Sequence, residues 1–225
     1  MTKQHIAIFD LDETLTKKGT WGRFVVASIR GRPLKYIPFI IQTAVSQLFY
    51  MLGFGPREHV KEAMMRCTIS GRTRTELEIL AENFAQFEAY EGLRPQARVV
   101  IDKHRKAGDR IIIASAAVDL IVNSIAQHLG ITEIVCTKMA YTKDEKLAKK
   151  LGGENCYGAH KLTMVKSYLA ADSKYRRSHV HITMYSDSGS DLDILRWADV
   201  GIAVHPRKRL AKYVAQYGFE IQIWD

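Results

Sequence analysis

Short apolar runs alternate with helical periodicity through the second half of the chain. We predict a strand in each of five runs that carry β-branched or aromatic residues, at 110–114, 134–137, 181–185, 200–204 and 219–224. We predict a helix in each of four intervening stretches whose apolar residues recur at helical spacing, at 118–129, 161–170, 192–197 and 207–217. Because strands separated by helices form parallel sheets, this half predicts an α/β fold with helices on both faces.

The first half has a different pattern. Residues 6–9 are an apolar run bounded by acids, which predicts one more buried parallel strand. Residues 17–90 then show apolar residues at helical spacing and no strand alternation. We therefore predict a helical insertion between the first strand of the sheet and the rest of the core.

Residues 36–54 are an uncharged, largely apolar stretch within that insertion. The stretch is about as long as a membrane-spanning helix, yet Pro38 and several Gln, Ser and Thr residues interrupt it. Arg30, Arg32 and Lys35 lie just before it. We favour a buried or interfacial helix of the insertion. The alternatives are a helix lying on an anionic membrane surface, and a membrane span that would separate the first strand from the core.

The charge balance predicts an anionic partner. Lys and Arg total 33 against 24 Asp and Glu, a net charge of +9. Phosphorylated metabolites, nucleic acid and an acidic membrane surface all suit this excess, although the sequence contains no nucleic-acid-binding motif.

The start of the chain lacks the apolar run of a secretory signal, and Cys67, Cys136 and Cys156 lack paired spacing. We therefore expect a cytoplasmic protein with free thiols. If residues 36–54 lie on an anionic membrane surface, we expect the protein at the inner face of that membrane.

Two pairs of aspartates follow predicted strands. Asp10 and Asp12 come directly after the first strand, and Asp187 and Asp191 follow the strand at 181–185. The carboxyl ends of parallel strands meet at one edge of the sheet, so we expect these carboxylates to lie together. Their charges repel unless a cation lies among them, and Mg²⁺ binds one or two carboxylates plus a phosphate. The alternative for Asp10 and Asp12 is a solvated acidic turn. The alternative for Asp191 is that it only starts its helix, where the helix dipole favours an acidic residue.

Ser115 and Lys161 are candidate anion-binding residues. Ser115 is predicted to end a strand and start a helix, where its hydroxyl and the free backbone N–H groups would bind an anion. The alternative is an ordinary N-cap. Lys161 begins a predicted helix, a position that the helix dipole disfavours for a cation unless an anion is bound nearby. Alternatively, Lys161 is one of the many lysines on the protein surface and binds no anion.

The four motifs occur in a fixed order: Asp-x-Asp-x-Thr at 10–14, Ser115, Lys161, and Asp-x-x-x-Asp at 187–191. In this order they resemble the motifs of the haloacid dehalogenase-like phosphatase superfamily over essentially the whole chain. The helical insertion resembles the cap domain of the phosphoserine phosphatase-like subfamily IB. This resemblance implies a Rossmann-like, doubly wound parallel sheet core and an inserted helical cap domain. The core would comprise residues 1–16 and 91–225, and the cap residues 17–90.

The resemblance also implies a Mg²⁺-dependent phosphatase that forms an aspartyl-phosphate. Asp10 would be the nucleophile and Asp12 the general acid and base. Mg²⁺ would be held by Asp10, the carbonyl of Asp12, and Asp187. Two residues would bind the phosphoryl oxygens, Ser115 and Lys161. Three residues would support this site, Thr14, Ser190 and Asp191.

Departures from the phosphoserine phosphatase pattern leave the substrate open. Gly19 stands where those enzymes carry a glutamate for the serine amino group, and Ser190 stands in place of an Asn. The early aromatic pair, the basic stretch and the long apolar segment resemble the phosphatidylglycerophosphatase-type branch. Three cap residues are candidates for substrate contact, Trp21, Phe24 and Arg66.

Four functions remain open at this point. The first is a phosphatase for a small phosphorylated metabolite, not specific for phosphoserine. The second is a lipid-phosphate phosphatase, of phosphatidylglycerophosphate or lysophosphatidate type, with peripheral membrane contact through residues 36–54. The third is a basic binding module for anionic partners. The fourth is phosphoryl transfer by the same residues to an acceptor other than water. The sequence does not predict an oligomeric state.

Overall fold

The computed structural model describes residues 3–225 and contains eight strands within that range. In chain order they are β1 (Gln4–Phe9), β2 (Arg110–Val118), β3 (Glu133–Thr137), β4 (Met139–Tyr141), β5 (Leu147–Leu151), β6 (Val180–Ser186), β7 (Val200–Val204) and β8 (Glu220–Gln222). Six of them form one parallel sheet in the order β3-β2-β1-β6-β7-β8. The predicted α/β fold with a parallel sheet is therefore confirmed.

Nine α-helices accompany the strands within residues 3–225. They are α1 (Thr20–Ser28), α2 (Tyr36–Met51), α3 (Glu58–Thr68), α4 (Arg74–Phe87), α5 (Pro95–Ala107), α6 (Asp119–His128), α7 (Ala159–Ala170), α8 (Leu192–Trp197) and α9 (Lys208–Tyr217). Helices α1 to α4 all lie between β1 and β2 in the chain, as the helical periodicity of this segment predicts. The exact domain limits of core and cap stay a prediction.

β1 lies at the centre of the sheet, with β2 on one side and β6 on the other. Its alternate residues enter two separate apolar clusters. Ala7 and Phe9 pack in a cluster that also contains Ile121 of α6, whereas Ile6 and Ile8 pack with Val165 of α7. Because both faces of β1 are covered, its sequence reads as a continuous apolar run rather than an alternating one.

The helices between β1 and β2 share a core with one face of the sheet. The cluster that contains Phe9 continues through Phe24 of α1, Met65 of α3 and Leu77 of α4. Thr73 and Glu76 form a reciprocal capping box at the start of α4, which fixes where this helix begins.

A small antiparallel hairpin, β4–β5, was not predicted. Its strands have three and five residues, and β5 reads Leu-Ala-Lys-Lys-Leu, so neither length nor alternation indicates a strand. The hairpin joins the link between α3 and α4: Gly71 N donates to Leu147 O at 2.9 Å, and Leu147 N donates to Arg72 O at 2.8 Å. This hairpin therefore ties the helical insertion to the core at a second place.

Helix α2 covers most of the uncharged stretch at residues 36–54, and it lies on the surface. Phe39 is its one buried side chain, so the buried form of the favoured prediction is wrong for most of the length of α2, while the interfacial form stays a prediction. The reason is that its inward positions include Thr43 and Ser46, which are polar, while its isoleucines and leucines point outward. Within residues 3–225, no helix combines the length and the apolar character needed to cross a membrane.

Candidate active site

The predicted acidic residues meet at the carboxyl ends of β1 and β6. Asp10 directly follows β1 and Asp187 directly follows β6, and these neighbouring strands pair through Phe9 and Tyr185. A narrow cavity of about 70 Å³ opens there. Its walls contain seven of the predicted site residues, Asp10, Asp12, Ser115, Lys161, Asp187, Ser190 and Asp191.

Lys161 is the cation at the centre of this cavity. Its Nζ lies 2.7 Å from Asp10 Oδ1 and 2.7 Å from Asp191 Oδ2, and the side chain is 2% exposed. Ser186 Oγ donates to the same Asp191 oxygen at 2.8 Å. Burial alone would lower the pKa of Lys161, but the adjacent carboxylates of Asp10 and Asp191 raise it above its usual value. Lys161 therefore remains charged and faces the nucleophile candidate.

The two carboxylates at the strand ends bind protons more tightly than ordinary aspartates. Burial raises the pKa of Asp10 to about 8; the charges of Asp191 and Asp187 add to the rise, and Lys161 opposes it. Burial also raises the pKa of Asp187 to about 6, although Arg207 Nε lies 2.7 Å from its Oδ2. One lysine and one half-exposed arginine thus do not fully offset the buried negative charge.

The residues present suit a hard divalent cation. Thr14 Oγ1 lies 3.4 Å from Asp10 Oδ2 and 3.2 Å from Asp187 Oδ1, so it holds both carboxylates near one point. Within residues 3–225, no group of three or more His, Cys, Asp or Glu side chains is arranged around a metal position. Two carboxylates and the backbone carbonyl of Asp12 would therefore form the protein part of a Mg²⁺ site, which substrate phosphate and water complete. The buried Oδ1 of Asp191, which accepts no hydrogen bond from the described part of the chain, adds to the negative charge there.

Asp12 is held by the first helix of the insertion. Its Oδ1 accepts hydrogen bonds from Thr20 N and Thr20 Oγ1, both at 2.7 Å, and Thr20 is the first residue of α1. Burial raises the pKa of Asp12, while the bonds from Thr20 lower it. A raised pKa favours the protonated form of the carboxyl group, which is the form that a general acid requires.

Ser115 lies in the cavity, but the predicted helix start at this residue is wrong. Strand β2 continues to Val118 and α6 begins at Asp119. The pairing of β2 with β3 shifts between Ser115 and Val118, so the chain bulges there. Ser115 Oγ accepts from Ala117 N at 3.1 Å within this bulge. The bulge, rather than a helix N-terminus, positions Ser115.

A second, larger cavity of about 640 Å³ adjoins the first, and both are lined by Asp12, Arg57 and Ala116. Its walls are mostly apolar and include Trp21 of α1 and Phe39 of α2. Trp21 is the only one of the three cap candidates in this wall, and its buried indole Nε1 has no hydrogen-bond partner among residues 3–225.

The structure does not bring Phe24 and Arg66 to either cavity. Phe24 is on another side of α1, 1% exposed and packed edge-on against Phe84 at 5.6 Å between ring centroids. Arg66 lies 3.7 Å from Glu62 and lines a separate surface groove. Both predictions of substrate contact conflict with this placement, because the helix faces that carry these side chains point away from Asp12.

Arg57 and Lys61 are cationic residues of the site that the sequence analysis missed. Arg57 precedes α3, lines both cavities, and stacks its guanidinium 4.3 Å from the ring centroid of Tyr157. Lys61 is one turn further on, is 9% exposed, and donates to Asn155 Oδ1 at 2.8 Å and to Ala116 O. Their spacing of four residues on one helix face was the available signal.

Sequence comparison shows which known proteins this chain resembles. The family model described as "haloacid dehalogenase-like hydrolase" matches residues 7–196. A histidinol-phosphatase of Neisseria meningitidis is 25% identical over 230 residues, covering 97% of this chain and 98% of the relative. Phosphoserine phosphatase SerB1 of Mycobacterium tuberculosis is 26% identical over 221 residues, covering 96% of this chain and 70% of the relative.

Solved structures share the fold. A Bordetella pertussis protein of unknown function superposes with a TM-score of 0.86 at 23% identity, with 98% of each chain covered. A substrate-bound phosphoserine phosphatase superposes with a TM-score of 0.67 at 16% identity, covering 100% of this chain and 96% of the other. The sheet and the inserted helices thus recur together in both.

Proposed function

Because the chain belongs to the haloacid dehalogenase-like hydrolase family, we propose that it is a Mg²⁺-dependent phosphomonoesterase. The observation that carries this proposal is the buried contact of Lys161 with Asp10, 2.7 Å between Nζ and Oδ1, in a cavity shared with Asp12 and Asp187. The names of two relatives, a histidinol-phosphatase and a phosphoserine phosphatase, support the same reaction class.

The reaction divides into two displacements at phosphorus. A carboxylate oxygen of Asp10 forms a bond to phosphorus as the ester P–O bond breaks, and Asp12 gives its proton to the leaving oxygen. Asp12 then takes a proton from water, whose oxygen attacks the aspartyl-phosphate and releases inorganic phosphate and free Asp10. Lys161 and the Ser115 hydroxyl bind the phosphoryl oxygens as negative charge moves across them.

Asp10, Asp187 and the carbonyl of Asp12 would hold Mg²⁺. When bound, the ion offsets the repulsion between the carboxylates and the incoming phosphate. Asp10, whose pKa burial raises to about 8, would be ionised more readily beside a bound cation.

The cavity above Asp12 favours an ester whose leaving group is larger than serine. Its volume of about 640 Å³ and its apolar walls suit a bulky organic group, and Arg57 lies where phosphate and leaving group would meet. A phospholipid monoester is the second candidate. It is favoured because Phe39, in the cavity wall, belongs to α2, whose outer face is apolar.

The test is a phosphate-release assay on purified protein with Mg²⁺ and with EDTA. The substrates are phosphoserine, histidinol phosphate, sugar phosphates, nucleotides, lysophosphatidate and phosphatidylglycerophosphate. We expect Mg²⁺-dependent release and, for Asp10→Asn, at least a 10³-fold loss with the fold retained. Asp144→Asn, at an exposed turn, is the matched control and should be fully active.

The results separate the candidate functions. Full activity of Asp10→Asn would exclude the proposed nucleophile. Phosphate release from the lipid esters alone would support the phospholipid monoester as the substrate. No release from any ester with Mg²⁺ present would contradict the phosphatase proposal and favour the binding-module hypothesis.

A further inference from the structure

Helix α2 exposes most of its aliphatic side chains to solvent. The residues at 36, 39, 43, 46 and 50 are the less exposed positions, and their spacing of three and four marks the face toward the protein. This inward face combines three aromatic residues with Thr43 and Ser46. An ordinary surface helix turns its polar face to water, whereas α2 turns its aliphatic residues to water.

The outward face of α2 is mostly apolar, and Gln42 and Gln47 are its exposed polar side chains. Ile37 is 63% exposed, Ile41 57% and Leu48 54%. The segments on both sides continue this surface with Leu34, Met51, Leu52 and Phe54. We call the set formed by Leu34, Ile37, Ile40, Ile41, Val45, Leu48, Phe49, Met51, Leu52 and Phe54 the α2 patch. A continuous apolar surface of this kind needs a covering partner, because solvated apolar area is unfavourable.

The charges around the α2 patch indicate which partner covers it. From residue 15 to residue 57 the chain contains seven Lys and Arg and no Asp or Glu. Arg30 and Arg32 are exposed just before α2. A second copy of the chain would bring like charges together at a symmetric contact, whereas an anionic lipid surface would attract them.

We propose that the α2 patch inserts into the headgroup region of an anionic membrane, with α2 parallel to the bilayer plane. The apolar side chains would enter the boundary between headgroups and acyl chains, and the surrounding lysines and arginines would contact lipid phosphates. The proposal concerns where the protein binds, so it holds whether the hydrolysed ester is a lipid or a small metabolite.

Binding of the full chain to vesicles tests the proposal without turnover. We expect co-sedimentation with vesicles of phosphatidylglycerol and phosphatidylcholine, and at least tenfold weaker binding to phosphatidylcholine alone. The double variant Ile41→Asp, Leu48→Asp should lose at least tenfold in binding to the anionic vesicles. Val99→Asp, at a side chain 59% exposed on α5, is the matched control and should bind normally.

A second pair of variants tests the charge contribution. Arg30→Gln with Arg32→Gln should weaken anionic vesicle binding severalfold and reduce its dependence on salt. The same charge change on α5, Lys103→Gln with Lys106→Gln, should leave binding nearly unchanged.

Three results would overturn the proposal. They are no binding to anionic vesicles, equal binding by the Ile41→Asp, Leu48→Asp variant, and a dimer in sedimentation analysis that this variant converts to monomer. The last would assign the patch to a second copy of the chain. Hydrolysis of a water-soluble ester by the same variant should stay at the level of the unchanged protein, because neither residue lines a cavity of the candidate site. Failure to bind vesicles is thus distinguishable from failure as a phosphatase.

Discussion

Charge balance around Asp10 links the local structure to the proposed reaction. Three buried aspartates, Asp10, Asp187 and Asp191, have one fully buried cation among them, Lys161. Burial disfavours ionised carboxylates, and so does their mutual repulsion, which explains why the pKa of Asp10 rises to about 8. A divalent cation would remove this cost, and the site therefore predicts coupling between protons and metal.

We expect Mg²⁺ to stabilise the protein more strongly as the pH rises. Folded-state pKa values of about 6 for Asp187 and about 8 for Asp10 exceed the ordinary value of 3.8. The metal-free folded state thus binds more protons than the unfolded state, and its stability falls as the pH rises from about 4 to 8. Mg²⁺ must displace those protons, so its stabilising effect should grow across the same window.

Thermal unfolding with and without saturating Mg²⁺ at pH 6 and pH 8.5 measures this effect. We expect a larger rise in Tm at pH 8.5, and no rise for Asp187→Asn at either pH. A rise that is the same at both pH values would contradict the coupling.

Thr20 should affect the rate of hydrolysis because it orients the carboxyl group of Asp12. Its hydroxyl and its backbone N–H both donate to Asp12 Oδ1 at 2.7 Å, and Thr20→Ala removes one of these bonds. The carboxyl group would then lose part of its orientation toward the leaving oxygen. We expect kcat to fall about 10- to 100-fold with KM nearly unchanged, since one hydrogen bond to a charged group contributes about 1.5–3 kcal/mol and each 1.4 kcal/mol corresponds to about tenfold in rate.

Thr163→Ala is the control for Thr20→Ala. This threonine is exposed on α7, and its hydroxyl bonds only to Ala159 O at 3.3 Å. The kcat of the Thr163→Ala variant should equal that of the unchanged protein. Equal effects of the two substitutions would show that the loss comes from helix stability rather than from Asp12.

At the scale of elements, apolar periodicity predicted most of the sheet. The buried strands β1, β2, β6 and β7 are short apolar runs, and such runs are a direct consequence of coverage on both faces. Their carboxyl ends bring Asp10 and Asp187 together, so the position of the site followed from the topology alone. The bulge after Ser115 was not predictable, because it depends on the pairing of β2 with β3 and not on any local residue preference.

The helical insertion was the less predictable part. Its helical character followed from spacing, but the face that each helix turns to the core depends on how the helices pack. Phe24 and Arg66 were therefore assigned to the substrate, whereas the structure places Arg57 and Lys61 at the cavity. Burial of α2 was wrongly predicted for a related reason: its apolar residues indicated burial, although most of them face outward.

Lys61 should join α3 to the core and shape substrate binding. It donates to Ala116 O, which adjoins Ser115, and to Asn155 Oδ1 at 2.8 Å. Burial lowers the pKa of Lys61 to about 8, and Asp12 opposes this change. We expect Lys61→Met to raise KM at least fivefold, because the cavity loses a cation that faces an anionic substrate.

The stability of Lys61→Met should change by about 1 kcal/mol or less. The lost hydrogen bonds are offset by the removal of a buried charge, and Asn155 Oδ1 keeps its bond from Thr137 Oγ1 at 3.0 Å. Lys35→Met is the matched control, since this lysine donates to Thr68 O within the insertion and lines neither site cavity. Kinetics and urea unfolding of both variants measure the two effects. An unchanged KM for Lys61→Met would exclude the role in binding.

At the scale of the whole molecule, Trp224, far along the chain, packs against a strand that carries the site. β1 near the start is the central strand, while Trp224 at the far end is 2% exposed against Tyr185, 5.6 Å between ring centroids. Tyr185 in turn stacks on Phe9 at 4.5 Å. Phe9 and Tyr185 lie one and two residues before the site aspartates Asp10 and Asp187. The last residues of the chain therefore support both strands that carry the site.

Trp224→Ala should accordingly destabilise the protein by about 3–5 kcal/mol, since removal of a buried Trp leaves a cavity as well as losing apolar burial. It also removes the bond from the indole Nε1 to Gln222 Oε1, 2.9 Å long. Tyr90→Ala, at an aromatic side chain that is 79% exposed, should change the free energy of unfolding by about 0.5 kcal/mol or less. Urea unfolding measures both. If Trp224→Ala cost less than about 1 kcal/mol, the end of the chain would be dispensable to the fold, and the support of Asp10 and Asp187 would have to come from β1 and β6 alone.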